Sequence, residues 1–256
     1  MPYAENNGVR IYYEVMGTDG PPLVLQHGFT QTLETWKREG YVEKLESEYR
    51  LILIDGRGHG KSDKPHDPEA YKYSTRTVDV VAVLDDLGFE KASYWGYSMG
   101  PGIGFGLLWQ SPERIDTFVF GAGTPYASST TGGIVSMFAN GTEAFLEFIT
   151  KSLAAVGKEL AEGRRKEILA LDIEALVAST RRPEESEQMI DALKPLDRPA
   201  FSYAGDLDDG YDLMARLPEA NPRIEFATLP GLDHMGTWNS SGVVVPVVLE
   251  FLRRQG

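Results

Sequence analysis

Residues 92–110 read ASYWGYSMGPGIGFGLLWQ, an apolar stretch followed by a short glycine-containing turn and a segment that can be helical. Residues 96–100 match Gly-x-Ser-x-Gly, a pattern that places a serine on a tight strand-to-helix turn with its hydroxyl above the sheet. The flanking glycines allow backbone dihedral angles that a Cβ atom would forbid. The alternative is an ordinary glycine-rich turn, because five-residue patterns recur by chance. Ser98 is therefore a candidate nucleophile that the rest of the chain must support.

Apolar runs and helical patterns alternate around this stretch. Three runs without polar alternation are typical of strands buried on both faces of a parallel sheet, namely residues 23–25, 51–54 and 118–120. Alternating β-branched and aromatic residues at 9–15 predict an opening hairpin strand, which a turn at residues 17–20 closes. Residues 200–204 and 224–228 predict two further strands.

Helical segments separate the strands, most clearly at residues 74–87, and a helix at residues 243–254 closes the chain. Strand-helix alternation predicts an α/β fold with a mostly parallel central sheet and helices on both faces.

The stretch from residue 126 to 195 interrupts this alternation. It opens with SSTTGG at residues 128–133 and continues with helical patterns at residues 143–156, 158–171 and 173–180. We therefore expect a core domain of residues 1–125 and 196–256, and a helical cap insertion of residues 126–195. An apolar stripe in the insertion hints at a hydrophobic substrate, although the same stripe would pack a helix onto the sheet. Its members are Phe138, Phe145, Leu146, Phe148 and Ile149.

Composition excludes several classes of protein. The chain has 256 residues, 42% of them hydrophobic, and no cysteine, so disulfides, thiolate catalysis and iron–sulfur clusters are excluded. A formal net charge of −13 disfavours binding to nucleic acids and anionic lipids. Neither a signal-peptide pattern nor a run of roughly 18 apolar residues occurs. We expect a cytoplasmic, soluble protein with a small uncharged molecule as its partner, and no nucleic acid or membrane.

A serine hydroxyl needs a neutral imidazole to accept its proton and an acid to orient that imidazole. The chain has four histidines. His27 and His59 lie in glycine-rich loops after strands, and His66 lies in a proline-flanked polar loop. His234 follows the last predicted strand, where a doubly wound sheet returns a loop to its carboxyl edge. His234 is therefore the candidate base.

The candidate acids follow the strand at residues 200–204. Asp206, Asp208 and Asp209 all reach the same sheet edge, although aspartate and glycine clusters are also ordinary turns. The chain order is then serine, acid, histidine, which distinguishes this arrangement from the two protease orders. Position along the chain does not choose among the three aspartates.

A tetrahedral oxyanion needs preorganised donors. One candidate is the N–H of Met99, which directly follows Ser98 at the start of a helix whose dipole favours negative charge. The second would come from residues 27–30, HGFT, after the first buried strand. Pro101 lacks an N–H but falls in the first helical turn, where this loss costs little.

Residues 56–62, GRGHGKS, resemble a phosphate loop but enclose three residues between Gly56 and Gly60, where a Walker motif requires four. The third glycine of a dinucleotide fingerprint is also missing, because position 61 is lysine. Histidine pairs with metal-ligand spacing do not occur. We therefore expect neither a cofactor nor a metal.

At this point the chain resembles an α/β hydrolase of the single-domain, short-cap type, close to carboxylesterases and lactonases. Four separated motifs carry the resemblance over nearly the whole length: residues 27–29, 55–63, 96–100 and 230–234. The resemblance implies that Asp208, three residues past Gly205, is the acid. It also implies that Phe29 and Met99 donate to the oxyanion and that the insertion covers the pocket.

The resemblance implies a serine hydrolase that cleaves an ester or lactone of a small, fairly hydrophobic substrate. Epoxide hydrolases and haloalkane dehalogenases of similar shape use an aspartate where this chain has Ser98. Same-fold carbon–carbon hydrolases and perhydrolases share the triad, and some members are ligand-binding receptors with very slow turnover. Tyr97 and Pro101 depart from residues that relatives often carry there. Oligomeric state is not encoded in these patterns.

Overall fold

The computed structural model describes residues 2–126, 138, 141–155 and 159–255. Its eight strands form one open sheet in the order β1-β2-β4-β3-β5-β6-β7-β8. They are β1 (Tyr3–Asn6), β2 (Val9–Gly17), β3 (Pro22–Gln26), β4 (Arg50–Ile54), β5 (Ala92–Tyr97), β6 (Ile115–Gly121), β7 (Ala200–Gly205) and β8 (Ile224–Leu229). All pairings from β4 to β8 across the sheet are parallel, and β2 pairs antiparallel with β1 and β4. The predicted mostly parallel sheet is confirmed.

The opening hairpin differs from the prediction. β2 pairs with β1, and the turn between them is Asn7-Gly8, where both residues have positive φ (50° and 79°). Asn-Gly favours this two-residue turn because asparagine tolerates left-handed φ and glycine adopts it freely. Residues 17–20 lead instead into β3, which pairs with β4 and β5 rather than with β2. The expectation that they close a hairpin was wrong.

Helices cover both faces of the sheet. On one face lie α1 (Leu33–Arg38), α2 (Tyr41–Leu45) and the closing helix α12 (Ser241–Arg253). On the other lie α3 (Tyr73–Asp86) and α4 (Met99–Gln110). Successive residues of one strand enter opposite cores: Leu23 and Leu25 pack in the first and Val24 in the second, all with no exposed surface. The unbroken apolar runs follow from burial on both faces.

The described residues between β6 and β7 form the helices α5 (Gly141–Ala155), α6 (Glu162–Leu169), α7 (Ile173–Thr180) and α8 (Ser186–Leu193). The pattern at residues 173–180 coincides with α7, whereas α8 was not predicted. α8 packs against α4, and its Met189 and Leu193 join the hydrophobic cluster of that sheet face. Residues 128–133, and Val156 and Lys158 at the ends of two predicted helices, lie outside the described residues.

Two 3-10 helices lie at Pro68–Tyr71 and Pro112–Arg114, and the other α-helices of the described residues follow β7 and β8, next to the loops at the carboxyl edge of the sheet. These α-helices are α9 (Tyr211–Ala215), α10 (Leu217–Ala220) and α11 (His234–Trp238). In the part of the chain that the structure describes, no helix is long and apolar enough to cross a membrane.

Candidate active site

Ser98 lies between β5 and α4 in an uncommon backbone conformation, with φ 57° and ψ −96°. Its N–H donates to the carbonyl of Gly121 at 2.8 Å, which ties the turn to the neighbouring strand. A Cβ atom on Gly96 would lie 2.5 Å from the backbone carbon of Gly100, and one on Gly100 would lie 2.5 Å from the carbonyl oxygen of Gln26. The turn is therefore closed only because both flanking positions are glycine.

A continuous hydrogen-bond chain runs from this serine through a histidine to a carboxylate. Ser98 Oγ is 2.9 Å from His234 Nε2, and His234 Nδ1 is 2.7 Å from Asp208 Oδ2. His234 is the first residue of α11, and Asp233 caps that helix by accepting from the N–H of Gly236. The imidazole is 39% exposed and the Asp208 side chain 7% exposed, so the histidine reaches solvent while the carboxylate does not.

The structure distinguishes the three candidate aspartates: Asp206 and Asp208 each accept hydrogen bonds, and Asp209 is exposed. Asp208 accepts from His234 through Oδ2 and from the N–H of Gly210 through Oδ1, at 2.9 Å. Asp206 accepts from the N–H of Gly231 at 2.7 Å and so braces the loop that precedes the histidine. Burial acts to raise the pKa of Asp208, but the hydrogen bond and charge of His234 and the Gly210 N–H outweigh it and leave the pKa lowered. Asp208 thus stays ionised beside the imidazole.

The loop at residues 27–30 lies against the serine, since a Cβ atom on Gly28 would lie 3.1 Å from Ser98 Cβ. The Gly28 carbonyl accepts from His27 Nδ1 at 2.8 Å and from the N–H of Gln31 at 3.2 Å. Because a trans peptide is planar, the Phe29 N–H points away from that carbonyl. Within the described part of the chain this N–H donates to no other group.

The N–H of Met99 is the first donor of α4, a helix of 12 residues. No acceptor for it occurs among the described residues, as expected for the first turn of a helix. The N-terminal end of the helix dipole also favours negative charge at this point. Both predicted donors are thus unpaired N–H groups in segments that adjoin Ser98.

The other histidines have partners outside the hydrogen-bond chain of Ser98, His234 and Asp208. His27 and His59 are fully buried; His27 Nε2 accepts from the N–H of Gly56 at 2.9 Å, and His59 Nε2 accepts from the N–H of Thr30 at 3.3 Å. Burial lowers the pKa of His27 to about 4 and that of His59 well below its usual range. Both imidazoles are therefore neutral, and they hold loop backbone in place by accepting hydrogen bonds from it. His66 is half exposed and pairs with Asp172 instead.

Residues 56–62, which resemble a phosphate loop, are hydrogen-bonded to Asp55 just before them. Asp55 accepts from the N–H of Leu33 and of Lys61, each at 2.8 Å, and its carbonyl accepts from Ser62 Oγ at 2.5 Å. These bonds hold the loop against α1 and pair the Lys61 N–H within the chain. Among the described residues, no cluster of three histidine or acidic side chains could hold a metal ion.

A family model described as alpha/beta hydrolase fold matches residues 21–197 of the chain. The chain belongs to the α/β-hydrolase family. The match begins just before β3 and includes the turn at residues 96–100 that carries Ser98, which we call the elbow. The strands of the central sheet from β3 to β6 all lie within the matched residues. By family, this α/β hydrolase is a hydrolytic enzyme.

Relatives of this α/β hydrolase differ in their named activities. It is 27% identical over 280 residues to a putative non-heme chloroperoxidase of Synechocystis sp., covering 99% of this chain and 100% of that protein. It is 34% identical over 112 residues to epoxide hydrolase 4 of Mus musculus, covering 43% of this chain and only 31% of that protein. The structure of an enol-lactonase from Burkholderia xenovorans superposes with a TM-score of 0.84 at 21% identity, covering 98% and 100% of the two chains. At that identity the likeness shows the fold alone.

One contact in the site of this α/β hydrolase has no signal in the sequence pattern. The Tyr97 hydroxyl donates to the backbone carbonyl of His234 at 2.5 Å. It joins residues 137 positions apart, so no local spacing could reveal it.

Proposed function

We propose that this α/β hydrolase cleaves carboxylic esters or lactones through an acyl-enzyme on Ser98. The hydrogen-bond chain from Ser98 Oγ through His234 to Asp208, beside two unpaired N–H groups, is the observation that carries the proposal. A serine hydroxyl at this position has a base within hydrogen-bond reach, and the base has an orienting carboxylate. A serine nucleophile also disfavours the chemistry of the epoxide hydrolase relative.

In the first half-reaction Ser98 Oγ attacks the carbonyl carbon of the ester and its proton passes to His234 Nε2. The N–H groups of Phe29 and Met99 donate to the resulting oxyanion. The bond to the leaving oxygen then breaks, and that oxygen takes the proton from His234. The alcohol leaves, or in a lactone stays tethered to the acyl chain.

In the second half-reaction a water molecule gives a proton to His234 and attacks the acyl carbon. Collapse of this second tetrahedral intermediate releases the carboxylic acid, and His234 returns the proton to Ser98 Oγ. Asp208 keeps the imidazole in the tautomer with Nδ1 protonated throughout. The charge that forms on the imidazole is balanced by the Asp208 carboxylate at 2.7 Å.

We propose that residues 126–195 act as the cap and make the acyl pocket apolar. A hydrophobic cluster in this segment includes Phe138, Phe145, Leu146 and Ile168, and Phe29 of the oxyanion loop packs against it. The rings of Phe29 and Phe138 are 5.9 Å apart. An apolar cluster that adjoins the proposed oxyanion donor supports a small, fairly hydrophobic substrate.

Hydrolysis of p-nitrophenyl acetate, butyrate and octanoate by the wild-type protein and by Ser98→Ala tests the proposal. We expect turnover that the substitution abolishes, with butyrate or octanoate preferred over acetate. Absence of turnover, or turnover that survives in Ser98→Ala, would overturn the acyl-enzyme mechanism. Tight ligand binding without turnover would instead indicate a receptor.

The same acyl-enzyme could also react with hydrogen peroxide. The observation that favours this second reaction is the similarity, over the whole length of both proteins, to a relative named a putative non-heme chloroperoxidase. Hydrogen peroxide in place of water would attack the acyl carbon, release a peracid and return the proton to Ser98. The peracid then transfers an oxygen atom to a halide ion, which yields hypohalous acid and the carboxylate. Bromination of monochlorodimedone in acetate with bromide and hydrogen peroxide, compared between wild type and Ser98→Ala, tests this reaction. Ester turnover without serine-dependent bromination would exclude it.

A further inference from the structure

The guanidinium of Arg164, on α6, contacts the loop that carries Phe29. Arg164 Nη1 donates to the carbonyl oxygen of Thr30 at 2.7 Å, and Nη2 donates to Thr30 Oγ1 at 3.1 Å. The Arg164 side chain is only 16% exposed, so these bonds are shielded from water. A planar guanidinium that grips one residue through two parallel donors fixes orientation as well as distance.

Thr30 needs such a contact because its backbone is strained. It has φ 62°, in the left-handed region that a β-branched residue rarely occupies. Residues in this region persist where their surroundings determine them, and they concentrate at functional sites. The Thr30 N–H already donates to His59 Nε2, so Arg164 takes the two remaining polar groups, the carbonyl and the hydroxyl.

Arg164 is itself held from the opposite side. Its Nη1 also donates to Glu167 Oε2 at 3.2 Å, and Glu167 Oε1 accepts from Arg38 Nη1 on α1 at 2.7 Å. Arg38 thus anchors Glu167 to the part of the protein that packs on the sheet, and Glu167 in turn anchors Arg164. The guanidinium meets the loop from a fixed position rather than from a mobile side chain.

We propose that Arg164 is a positioning residue for the oxyanion loop. By holding Thr30 in its left-handed conformation, it fixes the course of the chain through residues 28–30, so that the Phe29 N–H, in the peptide between Gly28 and Phe29, faces the carbonyl under attack. The inference rests on the proposed hydrolysis at Ser98, and it assigns to α6 a direct part in building the site. Docking of α6 and formation of the oxyanion site are then one event.

Arg164→Met removes the donors while keeping most of the side-chain volume, and Arg165→Met is the matched control on the exposed side of the same helix. With p-nitrophenyl butyrate we expect kcat of Arg164→Met to fall about tenfold or more, with KM changed less than about twofold, because the lost interaction acts on the transition state. Arg165→Met should match the wild type. Arg164→Lys should recover part of kcat, since an ammonium can still donate to the Thr30 carbonyl.

Thr30→Gly separates positioning from general stability. Glycine adopts the left-handed conformation without strain, so Arg164→Met should lower kcat less in the Thr30→Gly background than in the wild type. Equal losses in the two backgrounds would contradict a role through Thr30. So would an Arg164→Met protein that loses thermal stability and keeps its kcat.

Amide hydrogen exchange at residues 28–31 gives a readout that does not need a substrate. We expect faster exchange in Arg164→Met than in the wild type and in Arg165→Met. Unchanged exchange would overturn the positioning role even if esters are cleaved. If the wild type shows no serine-dependent turnover but the loop loosens in Arg164→Met, the proposed function fails and the positioning role remains.

Discussion

The hydroxyl of Tyr97 donates a hydrogen bond of 2.5 Å to the backbone carbonyl of His234. The residue that precedes Ser98, the proposed nucleophile, thereby holds the backbone of His234, the proposed base. The Tyr97 ring also lies 5.5 Å from the imidazole and 4.7 Å from Trp238, at the two ends of α11. Burial raises the pKa of Tyr97 well above its usual range, so the hydroxyl remains a donor at any working pH. Elbow and histidine loop are therefore linked twice, through Ser98 and through Tyr97.

Tyr97→Phe should lower kcat about 3- to 10-fold, because the backbone of His234 loses its donor while the ring contacts remain. The matched control is Tyr203→Phe, which removes another buried hydroxyl, the acceptor for Trp95 Nε1 at 3.0 Å, without touching the histidine. Each change should lower the free energy of unfolding by about 1 kcal/mol. Steady-state kinetics and urea unfolding of both variants check this. Equal kcat losses in the two variants would refute a specific link to His234.

Asp208→Asn should reduce kcat at least about 100-fold. The Gly210 N–H requires an acceptor, so the amide oxygen would face Gly210 and the amide NH₂ would face His234 Nδ1. That arrangement favours the tautomer with Nε2 protonated, which cannot accept the serine proton. Asp206→Asn, whose carboxylate braces Gly231, should cost only a few-fold. Kinetics of the two variants with one ester decide the matter, and the opposite ranking would make Asp206 the acid.

Features of the site that follow from a local pattern or from the order of the strands could be predicted from the sequence. The elbow at Ser98 is a local pattern, and the predicted parallel sheet brings His234 to the same edge, so both could be proposed from chain order. The choice of Asp208 over Asp206 depended on a resemblance, because turn geometry and not spacing decides which carboxylate reaches the imidazole.

Contacts that pin the site lie beyond any local pattern. Tyr97 and His234 are 137 positions apart, and Thr30 and Arg164 are 134 positions apart. Such pairs are set by packing of the folded chain. The hairpin at Asn7-Gly8, in contrast, carries a strong local signal, and it was missed because β1 has only four residues.

Acid should destabilise the protein through His27. Its folded pKa of about 4 lies below the unfolded value of about 6.5 because the ring is buried, so stability is complete above the unfolded pKa and falls as pH drops through both values. This one group should lower the free energy of unfolding by about 3 kcal/mol between pH 7 and pH 4. Urea unfolding across that range should show a smaller fall in His27→Gln than in the wild type. The same fall in both proteins would show that His27 is not the cause.

His66 should give pH dependence of the opposite sign. Its Nε2 is 3.0 Å from Asp172 and its Nδ1 is 3.0 Å from Glu174, and the hydrogen bond to Asp172 raises the pKa of His66. A raised folded pKa means that the contact is fully formed below the unfolded pKa and weakens as pH rises through the folded value. Asp172 also caps α7 by accepting from the N–H of Ala175. Its ion pair with charged His66 therefore ties the loop that carries His66 to the start of that helix.

Amide exchange of α7, corrected for intrinsic rates, should therefore show less protection at pH 8.5 than at pH 6 in the wild type. Two variants bracket the effect. His66→Gln is never charged and should be equally unprotected at both pH values, whereas His66→Arg is always charged and should keep its protection at pH 8.5. Loss of protection with pH in His66→Arg, or pH-independent protection in the wild type, would show that the imidazole charge does not hold α7 to the loop that carries His66.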